Sequence, residues 1–179
     1  MEDVSALEDA PAQDSSFEED TRSRAAPRGG VQMVDVSARG DATRTALAAG
    51  RIRIGEEAFR QIEQETLKKG DALTVAQIAG ITGAKLTSRL IPLCHSVQIN
   101  GVDVELSLSE EEEDFAVKVR AFAKSTGPTG VEMEALTAVN VAALTVYDMC
   151  KSVTKEIEIT DVRLLAQTGG QDGDYRREE

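Results

Sequence analysis

Asp148 and Lys151 stand three residues apart. On a helix that spacing sets two side chains about 60° apart around the axis and about 4.5 Å along it, close enough to share a proton. A carboxylate beside an amine can do acid and base work; as an ordinary surface pair the same two residues would add a few tenths of a kcal/mol and no chemistry. Burial would push the lysine pKa down and the carboxylate pKa up, and pairing would oppose both shifts. The apolar run Val141–Tyr147 just before them holds that helix against its neighbours. His95 is the chain's only histidine and closes the string Leu90-Ile91-Pro92-Leu93-Cys94-His95. One histidine makes neither a triad nor a metal set, so it either packs or binds, and a helix-to-strand junction is where binding side chains are displayed. Adjacency in sequence does not make Cys94 its nucleophilic partner.

Glu132 and Glu134 open the same helix. Thr129-Gly130-Val131-Glu132 reads as a capping box, which gives Glu132 a structural task, whereas Glu134 has none. Glu134 lies 14 residues before Asp148, on nearly the same helical face but about 21 Å away along the axis. For both to serve one small-molecule site, the second must come from a neighbouring chain in an antiparallel helix pair. Lys69, Lys85 and Arg44 are each ordinary solvated cations taken singly; converging with Lys151 and His95 they would neutralise a triphosphate. Gly169-Gly170 offers a weak backbone nest for an anion. The absence of GxxxxGK[ST] and GxGxxG strings excludes a P-loop nucleotidase and a Rossmann enzyme.

These residues need elements to position them. Val31–Ser37 and Thr43–Ile54 read as strands joined through Arg39-Gly40-Asp41. Gly55–Lys69 reads as a helix with Ala58, Phe59, Ile62 and Leu67 on one stripe, stopped by Gly70. Leu73–Leu90 reads as a second helix whose Gly80 and Gly83 form a small-residue face for another backbone. Ser96–Ser109 and Phe115–Ala123 form a hairpin around the acidic run Glu110–Asp114, read as a solvated tip. The long helix from Thr129 to about Val153 is apolar around much of its surface, which predicts cover from another subunit. A last strand spans Ile157–Leu165, and no internal repeat is evident.

Composition bounds the rest. Of 179 residues 41% are apolar, enough for one hydrophobic core, and the formal charge of -12 opposes binding to nucleic acid or anionic membrane. Four Phe, two Tyr and no Trp leave few stacking platforms for single strands. Residues 1–30 carry eight acidic and three basic side chains and almost no branched aliphatics, so they read as a disordered acidic tail ahead of a domain at 31–179. Cys94 and Cys150 have neither zinc nor disulfide-framework spacing. Without a signal-peptide core or an 18-residue apolar run, the expected location is the cytoplasm.

Taken together, Met33-Val34-Asp35-Val36-Ser37, Lys69-Gly70-Asp71, Ala79-Gly80-Ile81, Leu90–His95, Thr129–Thr137 (TGVEMEALT) and Val146-Tyr147-Asp148-Met149-Cys150-Lys151 closely resemble the cyclic pyranopterin monophosphate synthases, the MoaC family of molybdenum-cofactor biosynthesis. The resemblance covers Met33 to Tyr175. It implies a ferredoxin-like α+β fold with an antiparallel sheet packed against helices, and a homohexamer built as a trimer of dimers with sites between subunits. It also implies a lyase that converts 3′,8-cyclo-7,8-dihydroguanosine triphosphate to cyclic pyranopterin monophosphate and diphosphate. In such enzymes the residues matching Asp148 and Lys151 are catalytic, while those matching Leu93, Cys94, His95, Met133 and Glu134 hold substrate, with those matching Lys69, Lys85 and Arg44 in the pocket. No cofactor or metal site is expected, and magnesium with the triphosphate is left open. Family members often carry Lys where this chain has Gln167 and Gln171, and some where it has Pro128, which weakens any phosphate role for the carboxy-terminal segment. The alternatives are a non-catalytic oligomeric nucleotide- or pterin-binding protein and a purely structural hexamer.

Overall fold

The central strand of the fold is β1 (Ala42–Arg53), whose alternate residues from Arg44 to Ile52 point into the core. A computed structural model describes residues 30–112, 114–171 and 173–178. The acidic tail expected at residues 1–30 therefore lies, except for Gly30, outside the described residues. Met33 onward forms one unit. Around β1 are assembled α1 (Gly55–Glu63), α2 (Ala72–Lys85), α3 (Thr87–Leu90), β2 (Ile99–Glu111), β3 (Asp114–Gly127), α4 (Glu132–Cys150), β4 (Glu158–Thr168) and β5 (Tyr175–Arg176). The five strands make one antiparallel sheet in the order β2-β3-β1-β4-β5. This is an α+β fold, and the ferredoxin-like description fits it.

The helix α4 lies along the core face of the sheet, and α2 packs against it. Missing side chains set both contacts. A Cβ on Gly50 of β1 would stand 2.7 Å from Val139 Cγ1, and one on Gly83 of α2 would stand 2.7 Å from Val141 Cγ2. Gly80 faces the Ala138 carbonyl and Ala142 at the same crossing. The small-residue face read from the sequence is therefore the α2–α4 seam, and Ala135, Ala138, Ala142 and Ala143 keep α4 slim enough to be buried there.

Local physics moves several boundaries. Val31–Ser37 is not a strand: the Asp35 carboxylate accepts from both the Ser37 amide and its hydroxyl, a local turn that competes with sheet pairing. Helix α1 ends at Glu63, because Leu67 would fall about 130° from the Ala58–Phe59–Ile62 stripe. The chain turns at Glu65, with φ of 56°, and Leu67 enters the core from a loop. Gly70, at φ of 93°, turns the chain into α2 instead of stopping α1. The capping box is absent: α4 is capped by Val131 without a side-chain bond, and Glu132 folds back over Gly130. The helix starts after Thr129, so Glu132 is its first residue and not its third. The hairpin strands climb into the acidic run, where Asp114 pairs with Arg51 at 2.7 Å, Glu110 with Arg60 at 2.8 Å, and Glu111 with Lys118. Those acids are paired rather than merely solvated. Strand β5, with no sequence signal, returns to pair with Ala166 and Gln167.

Candidate active site

Two groups of side chains sit at opposite ends of α4. At its carboxy-terminal end Asp148 occupies the last turn, where a negative charge opposes the helix dipole. Two lysines offset that. Lys151 Nζ lies 2.7 Å from Asp148 Oδ1, and Lys69 Nζ lies 2.6 Å from Oδ2 while also donating to the Asp148 backbone carbonyl at 2.8 Å. Lys69 thus closes a carbonyl left open by the end of the helix as well as binding the carboxylate. Bonds from Lys151 and Lys69 hold the Asp148 carboxyl down at about 2, and the Asp148 partner raises Lys151. All three side chains are at least two-fifths exposed in the single chain. Pairing therefore dominates here, and the lysine is not driven down as burial would drive it.

The amino-terminal end of α4 is drier. Glu134 is 2% exposed and its Oε2 has no partner, so burial raises its carboxyl above the usual range. Cys94 lies beside it: burial, and then the charges of Glu134 and Glu132, push the thiol up. A raised thiol is a poor nucleophile, so the side chain at 94 is suited to lining rather than attack. Leu93 and Met133 are exposed at the same end. His95 Nε2 meets the Val34 carbonyl at 2.7 Å. His95 also lines a cavity of about 340 Å3 together with Met33, Val36, Asp41 and Thr126–Thr129. Lys85 opens onto a neighbouring hollow of about 440 Å3 with Asn100 and Ile99, and Val97 is a wall of both.

Lys69, Asp148 and Lys151 are therefore together, and Lys85 belongs with the His95 end; one chain does not join the two groups. Arg44 lines neither hollow but bonds residues in the wall of the His95 cavity. Its buried guanidinium donates to the carbonyls of Gly127 at 3.0 Å, Pro128 at 3.3 Å and Gly169, clamping the ends of β3 and β4. The Gly169 amide is likewise occupied by Asp174 Oδ1 at 2.9 Å, so the glycine turn holds its own carboxylate. The sequence did not single out the Val34 carbonyl, Asp41 or Asn100. Contacts between residues as far apart as 34 and 95 leave no trace in local spacing.

A model of the MoaC family matches residues 33–170, which contain both groups. The chain belongs to the MoaC family. Within it, this member is 61% identical over 150 residues to the cyclic pyranopterin monophosphate synthase of Salinibacter ruber, a match covering 84% of this chain and 87% of that protein. It is 51% identical over 152 residues to the protein of the same name from Heliobacterium modesticaldum, covering 85% and 94%. It is also 50% identical over 149 residues to the human molybdenum cofactor biosynthesis protein 1, covering 83% of this chain and 23% of that longer one. Among the described residues no helix is long and apolar enough to cross a membrane.

Proposed function

We infer that this MoaC-family member is a cyclic pyranopterin monophosphate synthase, a lyase of molybdenum-cofactor biosynthesis. Its substrate is 3′,8-cyclo-7,8-dihydroguanosine triphosphate, and its products are cyclic pyranopterin monophosphate and diphosphate. The observation that carries this reading is a carboxylate held between two ammonium groups, within a chain 61% identical to a protein of that name. Asp148 and Lys151 move protons as the purine-derived ring opens and rearranges. A substrate hydroxyl then attacks the α-phosphorus and diphosphate leaves, with Lys69, Lys85 and His95 offsetting the charge that develops. Leu93, Cys94, Met133 and Glu134 hold the ring system. Arg44 acts on the pocket indirectly, through the carbonyls it clamps.

The separation of the two groups along α4 favours a site shared between copies. The exposed Leu144, 60% accessible near the middle of the helix, is the kind of surface such a copy would cover. We therefore propose the homohexamer, a trimer of dimers, as the working assembly, acting in the cytoplasm on a small molecule. Covering the wet end would also desolvate Lys151 and bring its proton within reach of the chemistry. No resident cofactor is proposed, and magnesium would enter with the triphosphate; turnover in excess chelator tests this. The decisive experiment is incubation of the purified protein with the cyclised triphosphate, reading diphosphate and the pyranopterin product. Saturable binding without diphosphate would instead identify a non-catalytic pterin-binding protein.

A further inference from the structure

The segment Met33–Ser37 joins neither the sheet nor the helices, yet it is not loose along its length. Asp35 folds it by accepting from the Ser37 amide at 2.8 Å and from the Ser37 hydroxyl at 2.7 Å, and the Arg39 amide closes the next turn on the Val36 carbonyl at 3.0 Å. Those two bonds from Ser37 hold the Asp35 carboxyl below its ordinary range, and His95 adds to the effect. Among the described residues, beyond the local turn closed by Arg39, the hydrogen bond that ties the segment to the rest of the domain is the one between the Val34 carbonyl and His95 Nε2. Met33 and Val36 form part of the wall of the cavity that His95 enters. Gly127 and Pro128, which also line that cavity, are fixed by the Arg44 clamp.

We propose that Met33–Ser37 is a strap that fixes the imidazole of His95 over this cavity, holding its Nε2 hydrogen on the Val34 carbonyl so that Nδ1 is the nitrogen left for substrate. A carbonyl oxygen only accepts, so the 2.7 Å contact places a hydrogen on Nε2 whether the ring is neutral or charged. In the neutral ring Nδ1 is then an acceptor; in the charged ring it becomes a donor suited to a phosphate oxygen. Asp35 on the strap feels the charge of His95, Asp41 shares the cavity lining with the ring, and Thr126–Thr129 in that lining carry no charge. The residues of the strap are positioning residues: they act on substrate through His95. The role of His95 toward substrate rests on the reading given under the proposed function, whereas the hold of the strap on the ring does not.

A single histidine gives a single imidazole spectrum, so nitrogen-15 labelling of histidine reads the ring directly in the full-length protein. The expected result is a fixed Nε2–H tautomer whose ring hydrogen exchanges slowly with water. Deleting residues 1–36 should make that hydrogen exchange fast and average the tautomers. It should also raise KM for the cyclised triphosphate about fivefold, the effect of losing one hydrogen bond, with the unfolding midpoint unchanged. Deleting residues 1–30 should change none of these. Asp35→Ala, which opens the turn without shortening the chain, should shift exchange in the same direction and serves if the longer deletion does not fold. A neutral ring with its hydrogen on Nδ1 and none on Nε2, or ring exchange equally fast with and without the strap, would overturn the proposal. A slowly exchanging Nε2–H in a protein that releases no diphosphate would leave the strap standing and overturn the enzymatic reading.

Discussion

The two ends of α4 solve opposite electrostatic problems. At the carboxy-terminal end a carboxylate is kept ionised down to about pH 2 by two ammonium groups in contact with water. At the amino-terminal end a carboxyl is buried with one oxygen unpartnered, and burial favours its neutral form. The same functional group is thus held in its charged form at one end and favoured in its neutral form at the other. The teaching is that sequence type alone does not assign a carboxyl its role; solvent and partners do.

The largest effect should come from the wet end. Lys151→Ala should lower diphosphate release by at least about 100-fold, the usual contribution of a positioned acid or base, with the fold retained because the side chain is exposed and its pair with Asp148 is screened by water. Near-normal turnover would dissolve the contrast between the ends. Lys69→Ala should cost less, about tenfold in kcat/KM, because Lys151 still holds the carboxylate. With one ammonium gone the Asp148 pKa should rise from about 2 toward its ordinary 3.8, which a carbon-13 titration of the carboxyl reads. In the unaltered chain the stabilisation from this lowered pKa is present above 3.8 and is lost as pH falls through about 2, so the variant should lose less stability in that window.

The seam that joins the two ends can be broken without touching either. Gly83→Val would drive methyl groups into Val141 and should destabilise the fold by about 1–3 kcal/mol in a denaturant titration. The smallest change is expected at Glu134. Its raised pKa means that the unfolded chain gives up the proton at a lower pH than the folded one, so stability falls as pH rises from the ordinary value of 4.5 through the folded value. Glu134→Gln should flatten that slope when unfolding midpoints are compared across pH; an unchanged slope would show that the dry end holds an ionised carboxylate after all.

Much of this was legible in the chain. The alternation of β1, the glycine face of α2, the two hairpin strands and the long apolar α4 follow from periodicity, because each is set by which neighbours in sequence share a face. Where turn geometry competes with pattern the reading failed: Val31–Ser37 looked like a strand until Asp35 bonded Ser37, and Leu67 looked helical although its angle does not fit the stripe. The family strings marked His95, Asp148 and Lys151 without saying what surrounds them.

By itself the sequence determined the pairing of Asp148 with Lys151, since three residues of helix fix that distance. Only the tertiary structure brought Lys69 across 79 residues to the same carboxylate, laid the Val34 carbonyl on His95 and turned Arg44 toward three main-chain carbonyls. Local spacing reaches one turn of a helix or one step of a strand; beyond that, burial of the core decides which surfaces meet, and polar partners are whatever that packing brings within reach.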